Sequence, residues 1–163
     1  MASSGSVVPK FMAQIKAGGP VTVTHPEITR YFMLIPEAVE LVLQAASLGK
    51  GGEIFVLDMG KPVKILEMAE DLISLMGYVP HTGIPIVFAG LRPGEKLHEE
   101  LFLGEIEGAT QFKDIHIGKV QAVDAVALEK KLSSLILLAE RGEGGEGLRA
   151  AIKTLVPEYT LPT

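Results

Sequence analysis

GGEIFVLD, at residues 51–58, is the stretch that decides the fold class of this chain. Its four apolar residues, Ile54–Leu57, follow a pair of glycines and lie between the charged residues Glu53 and Asp58. A short, continuous apolar run of this kind is typical of a strand that is buried on both faces, as in a parallel sheet covered by helices. We therefore predict that Ile54–Leu57 is a strand inside a parallel sheet.

Helices are predicted on both sides of this strand. Pro36 favours the first turn of a helix over residues 36–48, and Gly49 ends it. Apolar residues at helical spacing predict a second helix over 64–76, which ends at Gly77. The other predicted elements are a helix near Pro9, strands at 21–24, 84–88 and 114–117, a short helix at 97–103, and helices at 124–140 and 148–155. Strands that alternate with helices indicate an α/β fold.

Length, charge and cysteine content limit the possible functions. The 163 residues predict one domain, or two at most. A net charge of -5 disfavours a nucleic-acid-binding protein, which needs clustered Lys and Arg. The absence of cysteine excludes disulfides, thiolate metal sites and cysteine nucleophiles. No apolar run approaches the roughly 18 residues of a membrane span, and the N-terminus is not that of a secretory signal, so we expect a cytoplasmic protein.

Residues 142–147, GEGGEG, match the dinucleotide-binding fingerprint G-x-G-x-x-G. The fingerprint works when a strand precedes it and a helix follows, because backbone N–H groups then meet the pyrophosphate. Here a predicted helix precedes it, and Glu143 and Glu146 would repel phosphate. We interpret this segment as a linker between two helices.

Arg30 is the first of two arginines that could bind a phosphate ligand. It lies among apolar residues in ITRYFMLI, at 28–35. A cation in such a context either extends to solvent, pairs with a carboxylate such as Glu27, or is held against an anionic ligand.

Arg92 lies in the segment GLRPGEK, at 90–96, where Pro93 and Gly94 favour a turn. A loop arginine could clamp a phosphate while Glu95, three residues later, accepts hydrogen bonds from ribose hydroxyls. The alternative is a simple turn in which Glu95, Glu99 and Glu100 favour a helix N-terminus.

Catalytic and metal-binding motifs are absent from the sequence. The four histidines have no H-x-x-x-H spacing, and no serine lies in G-x-S-x-G. None of the three tyrosines is followed by a lysine four residues later, as the short-chain dehydrogenase dyad requires. Met12 and Lys16 have that spacing, but Met12 belongs to the apolar face of its predicted helix, so we interpret the match as chance.

Three segments together resemble one enzyme family. They are GSVVP at 5–9 with GGPVTVTHP at 18–26, TRYFM at 29–33 through GEIFVLDMG at 52–60, and GLRPGEKL at 90–97. The chain is similar over residues 5–105 to the C-terminal part of the capsule and polysaccharide-biosynthesis nucleotide-sugar dehydratases. These are extended short-chain dehydrogenases similar to UDP-N-acetylglucosamine 4,6-dehydratase.

The resemblance implies the substrate-binding portion of a Rossmann-type α/β enzyme. In the family, an N-terminal part holds NAD(P) and the catalytic residues, and a C-terminal part binds the UDP-sugar. The enzyme oxidises C4 of the sugar, eliminates water across C5–C6 and returns the hydride to C6. By this resemblance Ile54–Leu57 is the last Rossmann strand, and the site residues are Arg30 and Arg92 on the diphosphate, Glu95 on the ribose, and Val21, Thr22 and Val23 against the uracil.

The resemblance also sets the expected organisation. Residues 1–105 would be the nucleotide-sugar-binding region, and residues 106–163 a C-terminal helical extension. The cofactor loop and catalytic dyad are missing, so we expect no NAD(P) binding and no dehydratase (lyase) activity by this chain alone. Membrane anchoring of full-length relatives would reside in an N-terminal region absent here.

The expected partners follow from the missing half. They are a UDP-sugar, bound weakly; the missing N-terminal domain; and a second copy in a homodimer, with domain swapping as one route. Two alternatives remain open: a fragment of a nucleotide-sugar epimerase, and a non-catalytic interaction module of the same fold.

Overall fold

A computed structural model describes residues 6–102, 105–120, 122–142 and 145–160 of the chain. The chain divides into two compact units, Met1–Val120 and Gln121–Thr163. The first unit contains three helices and seven strands among its described residues, and the second contains two helices. The elements of the first unit are α1 (Val7–Lys16), β1 (Val21–Val23), β2 (Thr29–Arg30), α2 (Ile35–Leu48), β3 (Ile54–Leu57), β4 (Val63–Lys64), α3 (Ile65–Leu75), β5 (Ile86–Phe88), β6 (Ile106–Ala109) and β7 (Ile115–Gly118).

The hydrophobic core of the first unit lies between α1, α3 and β1. Phe11 and Ile15 are one turn apart on α1, so both face the same side, and both are buried. On α3, Ile65, Ala69 and Ile73 repeat at four-residue spacing and are also buried. Burial of these apolar side chains provides the main driving force for packing the two helices against β1.

Two small sheets position the loops that matter for function. Strands β1 and β5 pair in parallel, with Val21 opposite Ile86 and Val23 opposite Phe88. Strands β2 and β4 pair antiparallel, with Arg30 opposite Val63. The prediction of a strand near residues 84–88 that a proline confines to an edge is confirmed, because β5 begins after Pro85 and pairs with β1 alone.

The third sheet contradicts the prediction that Ile54–Leu57 lies inside a parallel sheet. Strand β3 forms where it was predicted, but it pairs antiparallel with β7, and the order of strands is β3-β7-β6. Ile54 is 47% exposed, so β3 is not buried along its whole length. An apolar run indicates that its side chains favour burial. It does not specify whether the neighbouring strand is parallel or antiparallel.

Two further predictions for this unit differ from the structure. No helix forms over residues 97–102, because the Leu97 carbonyl accepts the Thr29 N–H at 3.1 Å instead of a helical N–H. The expected helical extension from residue 106 begins instead with two strands, β6 and β7, and the second unit begins at Gln121.

The second unit contains α4 (Ala125–Glu140) and α5 (Glu146–Leu155). The helix predicted at 124–140 forms as α4, and Asp124 caps it: the Asp124 carboxylate accepts the backbone N–H groups of Val126 and Ala127 at 3.0 and 3.1 Å. The predicted linker at residues 142–147 is shorter than expected, because Glu146 and Gly147 form the first turn of α5. Glu143 and Gly144 fall outside the described residues. In the described part of the chain, no helix is both long enough and apolar enough to span a membrane.

Candidate functional site

The candidate site lies where the parallel strands β1 and β5 end. Thr24 follows β1 directly, and the loop from Ala89 to Gly94 follows β5. The Ala89 N–H donates to the Val23 carbonyl at 2.9 Å, which holds the start of the loop against β1. Because the carboxyl ends of parallel strands lie at one edge, loop side chains from distant parts of the sequence meet there.

Glu95 is the residue that joins these segments. Its Oε1 atom accepts the Thr24 hydroxyl at 3.0 Å and the Arg30 Nη2 group at 3.3 Å. Its Oε2 atom accepts the Arg92 backbone N–H at 3.0 Å. The Glu95 N–H in turn donates to the Arg92 carbonyl at 2.9 Å, so residues 92–95 form a closed turn. The structure therefore brings Arg30 and Glu95, two residues singled out from the sequence, into direct contact.

The contacts of Glu95 lower the pKa of its carboxyl group. The largest cause is the hydrogen bond from the Arg92 backbone, and burial opposes it. The Thr24 hydroxyl and the positive charges of Arg30 and Arg92 lower the pKa further. Glu95 is therefore an anion at neutral pH, fixed in position by donors from three segments.

Arg30 extends from β2 and is held on several sides. Its Nη1 group donates to the Thr29 carbonyl at 2.7 Å and lies 3.5 Å from the Leu97 carbonyl. Its Nε atom is 3.7 Å from Glu99 Oε1. The sequence left open a pairing with Glu27, but that carboxylate instead pairs with Lys64 at 2.9 Å.

Arg92 differs from Arg30 in the surroundings of its guanidinium group. Among the described residues, no carboxylate lies within 4 Å of its guanidinium group, and the residue is exposed. Its backbone is fixed by the turn with Glu95, while its side chain remains available. A planar guanidinium on a fixed backbone can bind a phosphate group through two parallel hydrogen bonds.

The strand β1 presents its residues to opposite sides. Val21 and Val23 are buried in the core, and Thr22 lies between them on the other face. The Thr22 hydroxyl accepts Gln14 Nε2 at 2.8 Å, and its N–H donates to Gln14 Oε1 at 3.2 Å. The valine side chains of this strand therefore serve packing, and a ligand beside β1 would meet its backbone or the Thr22 face.

An open cleft of about 450 Å³ adjoins the Arg30 region. Tyr31 and Glu99 line it next to Arg30, and Asp58 and His116 line it farther along. The full lining is Tyr31, Val56, Leu57, Asp58, Glu99, Glu100, Leu101, Phe102, Ile106 and His116. The cleft therefore combines aromatic and aliphatic side chains with three carboxylates.

Two residues of the site were missed from the sequence. Thr24 carried no signal, because a threonine at the end of a strand is common, and its partner Glu95 is 71 positions away. Glu99 was considered only as a residue that favours a helix N-terminus, whereas it lies beside Arg30. Neither role could be read from local spacing.

The described residues do not fit a bound NAD(P). No strand, glycine turn and helix follow one another as a dinucleotide site requires, and α4 precedes the GEGGEG segment. Within residues 6–102, 105–120, 122–142 and 145–160, no three His, Asp or Glu side chains are arranged to hold a metal ion. The exposed Arg92 guanidinium, on the turn that Glu95 fixes, is a group that can bind an anionic ligand.

Comparison with known proteins gives similarities over most of the first unit. The family described as polysaccharide biosynthesis protein matches residues 1–120. The chain is 59% identical over 121 residues to the capsular polysaccharide biosynthesis protein CapD of Staphylococcus aureus. This match covers 74% of this chain and 20% of that protein. It is 41% identical over 106 residues to UDP-glucose 4-epimerase of Rickettsia akari (strain Hartford). This match covers 64% of this chain and 29% of that protein.

A solved structure shares the fold. The X-ray structure of Pen from Bacillus thuringiensis matches with a TM-score of 0.62 and 35% sequence identity, over 72% of this chain and 36% of that one. The match supports the mixed α/β architecture as part of a larger protein. The chain spans only a fifth to about a third of the length of these three proteins.

Proposed function

The chain belongs to the polysaccharide biosynthesis protein family, and on that premise we propose that its first unit binds the nucleotide sugar of a UDP-N-acetylglucosamine 4,6-dehydratase. The observation that carries the proposal is the Glu95 cluster. One carboxylate fixes Thr24, Arg30 and the Arg92 backbone together and leaves the Arg92 guanidinium unpaired among the described residues.

The donors and acceptors of this cluster suit a nucleoside diphosphate. Arg92 would supply a planar cation to the diphosphate. Arg30 has one N–H, on Nη2, that its contacts with the described residues do not use. Glu95 Oε1 accepts two donors, but Oε2 accepts one and has room for a ribose hydroxyl. We propose that Arg30 and Arg92 bind the diphosphate, Glu95 binds the ribose, and the uracil lies beside β1.

The role of this chain in the reaction is to bind and orient. Its residues would hold the nucleotide part, so that the sugar is presented to catalytic groups elsewhere in a longer protein. No hydride or proton transfer is assigned to the described residues, because they contain neither a dinucleotide site nor a catalytic dyad. We accordingly propose that the chain alone is inactive.

A nucleotide-sugar 4-epimerase is the second candidate. It is favoured by the 41% identity to a protein named UDP-glucose 4-epimerase. Both activities start from a UDP-sugar, so the same arginines and carboxylate would serve either one. The sugar product formed by the longer protein would distinguish them.

The proposal is tested by titrating the chain with UDP in a calorimeter. We expect weak binding, with a Kd on the order of 1 mM, because only part of the ligand surface is covered. Arg92→Ala should weaken binding about tenfold, as expected for loss of a charged hydrogen-bonding partner. Arg149→Ala, which removes an exposed arginine of α5, is the matched control and should leave the Kd unchanged.

Two results would count against the proposal. One is the absence of UDP binding at millimolar concentrations, which would favour the non-catalytic interaction module. The other is equal weakening by Arg92→Ala and Arg149→Ala, which would indicate a non-specific attraction of charge.

We also propose that the chain forms homodimers. The helix α2 carries an apolar stripe of Ile35, Val39, Val42 and Leu43, and each of these side chains is more than half exposed. The spacing of four, three and one residues places them on one face of the helix. A second copy of the same helix provides a matching apolar stripe that would cover this surface.

A further inference from the structure

Arg30 has a second carboxylate beside it in addition to Glu95. Glu99 Oε1 lies 3.7 Å from Arg30 Nε, which is within ion-pair distance but longer than a hydrogen bond. The Glu99 side chain is 45% exposed, whereas that of Glu95 is 21% exposed and is fixed by three donors. Two carboxylates therefore lie beside one guanidinium group, and Glu99 is the more exposed of them.

Both carboxylates lie beside the Arg30 guanidinium group, next to neighbouring nitrogen atoms. Glu95 contacts the Nη2 group, and Glu99 faces Nε. Glu99 lines the open cleft beside Arg30, and Glu95 is not among the residues that line it. If Glu95 binds the ribose, a diphosphate that continues along Arg30 towards this cleft brings its second phosphate nearer to Glu99. The cleft beyond Glu99 is lined by two more carboxylates, Asp58 and Glu100.

Carboxylates affect a phosphate and a sugar in opposite ways. A terminal phosphate loses a second proton with a pKa near 6, so free UDP carries about one more negative charge at pH 7.5 than its sugar ester. A carboxylate repels that extra charge, whereas it can accept hydrogen bonds from the hydroxyl groups of a sugar.

We propose that Glu99 is a specificity-determining residue that makes the site prefer a nucleotide sugar to the free nucleoside diphosphate. The proposal rests on the nucleotide-sugar-binding function proposed above. Glu99 acts by placing a negative charge beside Arg30, at the position where a terminal phosphate would end and a sugar would continue.

Glu100 offers a matched control. It lines the same cleft and is also a glutamate, but it pairs with Lys96 at 3.6 Å. Both glutamate side chains are exposed by about half, so neutralising either one should leave the fold intact. Thermal unfolding of Glu99→Gln and Glu100→Gln checks this point.

The experiment compares the Kd values of UDP and UDP-N-acetylglucosamine for the whole chain at pH 7.5 and low salt, by calorimetry or ligand-observed NMR. Glu99→Gln should lower the Kd of UDP about fivefold and change that of UDP-N-acetylglucosamine less than about twofold, as expected for a partly exposed charge. Glu100→Gln should leave the ratio of the two Kd values unchanged. The effect of Glu99→Gln should shrink at about 0.5 M salt, because screening weakens interactions between exposed charges.

The results separate this inference from the proposed function. If both ligands bind in an Arg92-dependent manner but the Kd ratio is the same in the unmodified chain and in Glu99→Gln, the inference is wrong and the proposed function stands. An equal shift of the ratio in Glu100→Gln also overturns the role of Glu99. If neither ligand binds to any of the three proteins, the proposed function fails, and the inference fails with it.

Discussion

Replacement of Glu95 by alanine tests whether the Glu95 cluster stabilises the first unit. The variant removes the ion pair with Arg30 and the hydrogen bonds from the Thr24 hydroxyl and the Arg92 N–H. Hydrogen bonds to charged groups contribute about 1.5–3 kcal/mol each when buried, but the Glu95 side chain is 21% exposed and the three share one carboxylate. We therefore expect a loss of about 2 kcal/mol in the free energy of unfolding at pH 7, and a decrease in Tm of about 8 °C.

The pH dependence of this loss identifies its cause. The pKa of Glu95 in the folded protein is lower than its ordinary value of 4.5, so the unfolded chain binds the proton more readily. The stabilisation is therefore complete above pH 4.5 and is lost as the pH falls through the folded-state pKa. As the pH is lowered below 4.5, the difference in stability between Glu95→Ala and the unmodified chain should decrease.

The assay is urea unfolding followed by far-UV circular dichroism, at pH 7 and at about pH 3. Glu100→Ala is the control, because its exposed pair with Lys96 should contribute less than about 0.5 kcal/mol at either pH. A loss that is equal at both pH values would show that Glu95 acts through its size and not through its charge. A loss below about 0.5 kcal/mol at pH 7 would refute the claim that the cluster holds the loop in place.

Two further predictions concern activity and association. The purified chain with NAD and UDP-N-acetylglucosamine should give no dehydrated product by mass spectrometry, and turnover would contradict the proposal that the chain only binds its ligand. Light scattering after size exclusion should show a dimer whose fraction rises with concentration. Val42→Glu, in the exposed apolar stripe of α2, should shift the equilibrium from dimer to monomer. Glu40→Gln, on the same helix, should leave the dimer fraction unchanged. A monomeric mass for the unmodified chain at all concentrations would exclude association through this stripe.

Much of the local structure could be predicted from the sequence. The helix predicted near Pro9 forms as α1, and Phe11 and Ile15 on one of its faces are buried. The helix predicted at 36–48 forms as Ile35–Leu48, and Asp124 caps α4. These features depend on side-chain spacing, proline and glycine positions, and capping hydrogen bonds, all of which act within a few residues.

The candidate site was only partly predictable. Arg30, Arg92 and Glu95 were singled out from their sequence context, and the structure shows Arg30 and Glu95 in contact although they are 65 positions apart. Thr24 and Glu99 were not recognised as members of the site, because their roles depend on how β1, β2 and the loop after β5 meet. The resemblance of the motifs located the region, but it did not show which donors Glu95 accepts.

Composition, side-chain periodicity and the positions of proline and glycine indicated the α/β class, most helices and strands, and the residues able to carry charge to a ligand. The folded protein shows what local patterns did not indicate: β3 pairs antiparallel with β7, Leu97 and His98 hydrogen-bond to Thr29 of β2, and Glu95 connects three segments. The physical reason is that periodicity and capping are local, whereas backbone and side-chain hydrogen bonds between distant segments depend on which edges meet. The amino acids of those segments are compatible with several hydrogen-bonding partners, and packing of the hydrophobic core determines which of these partners come into contact.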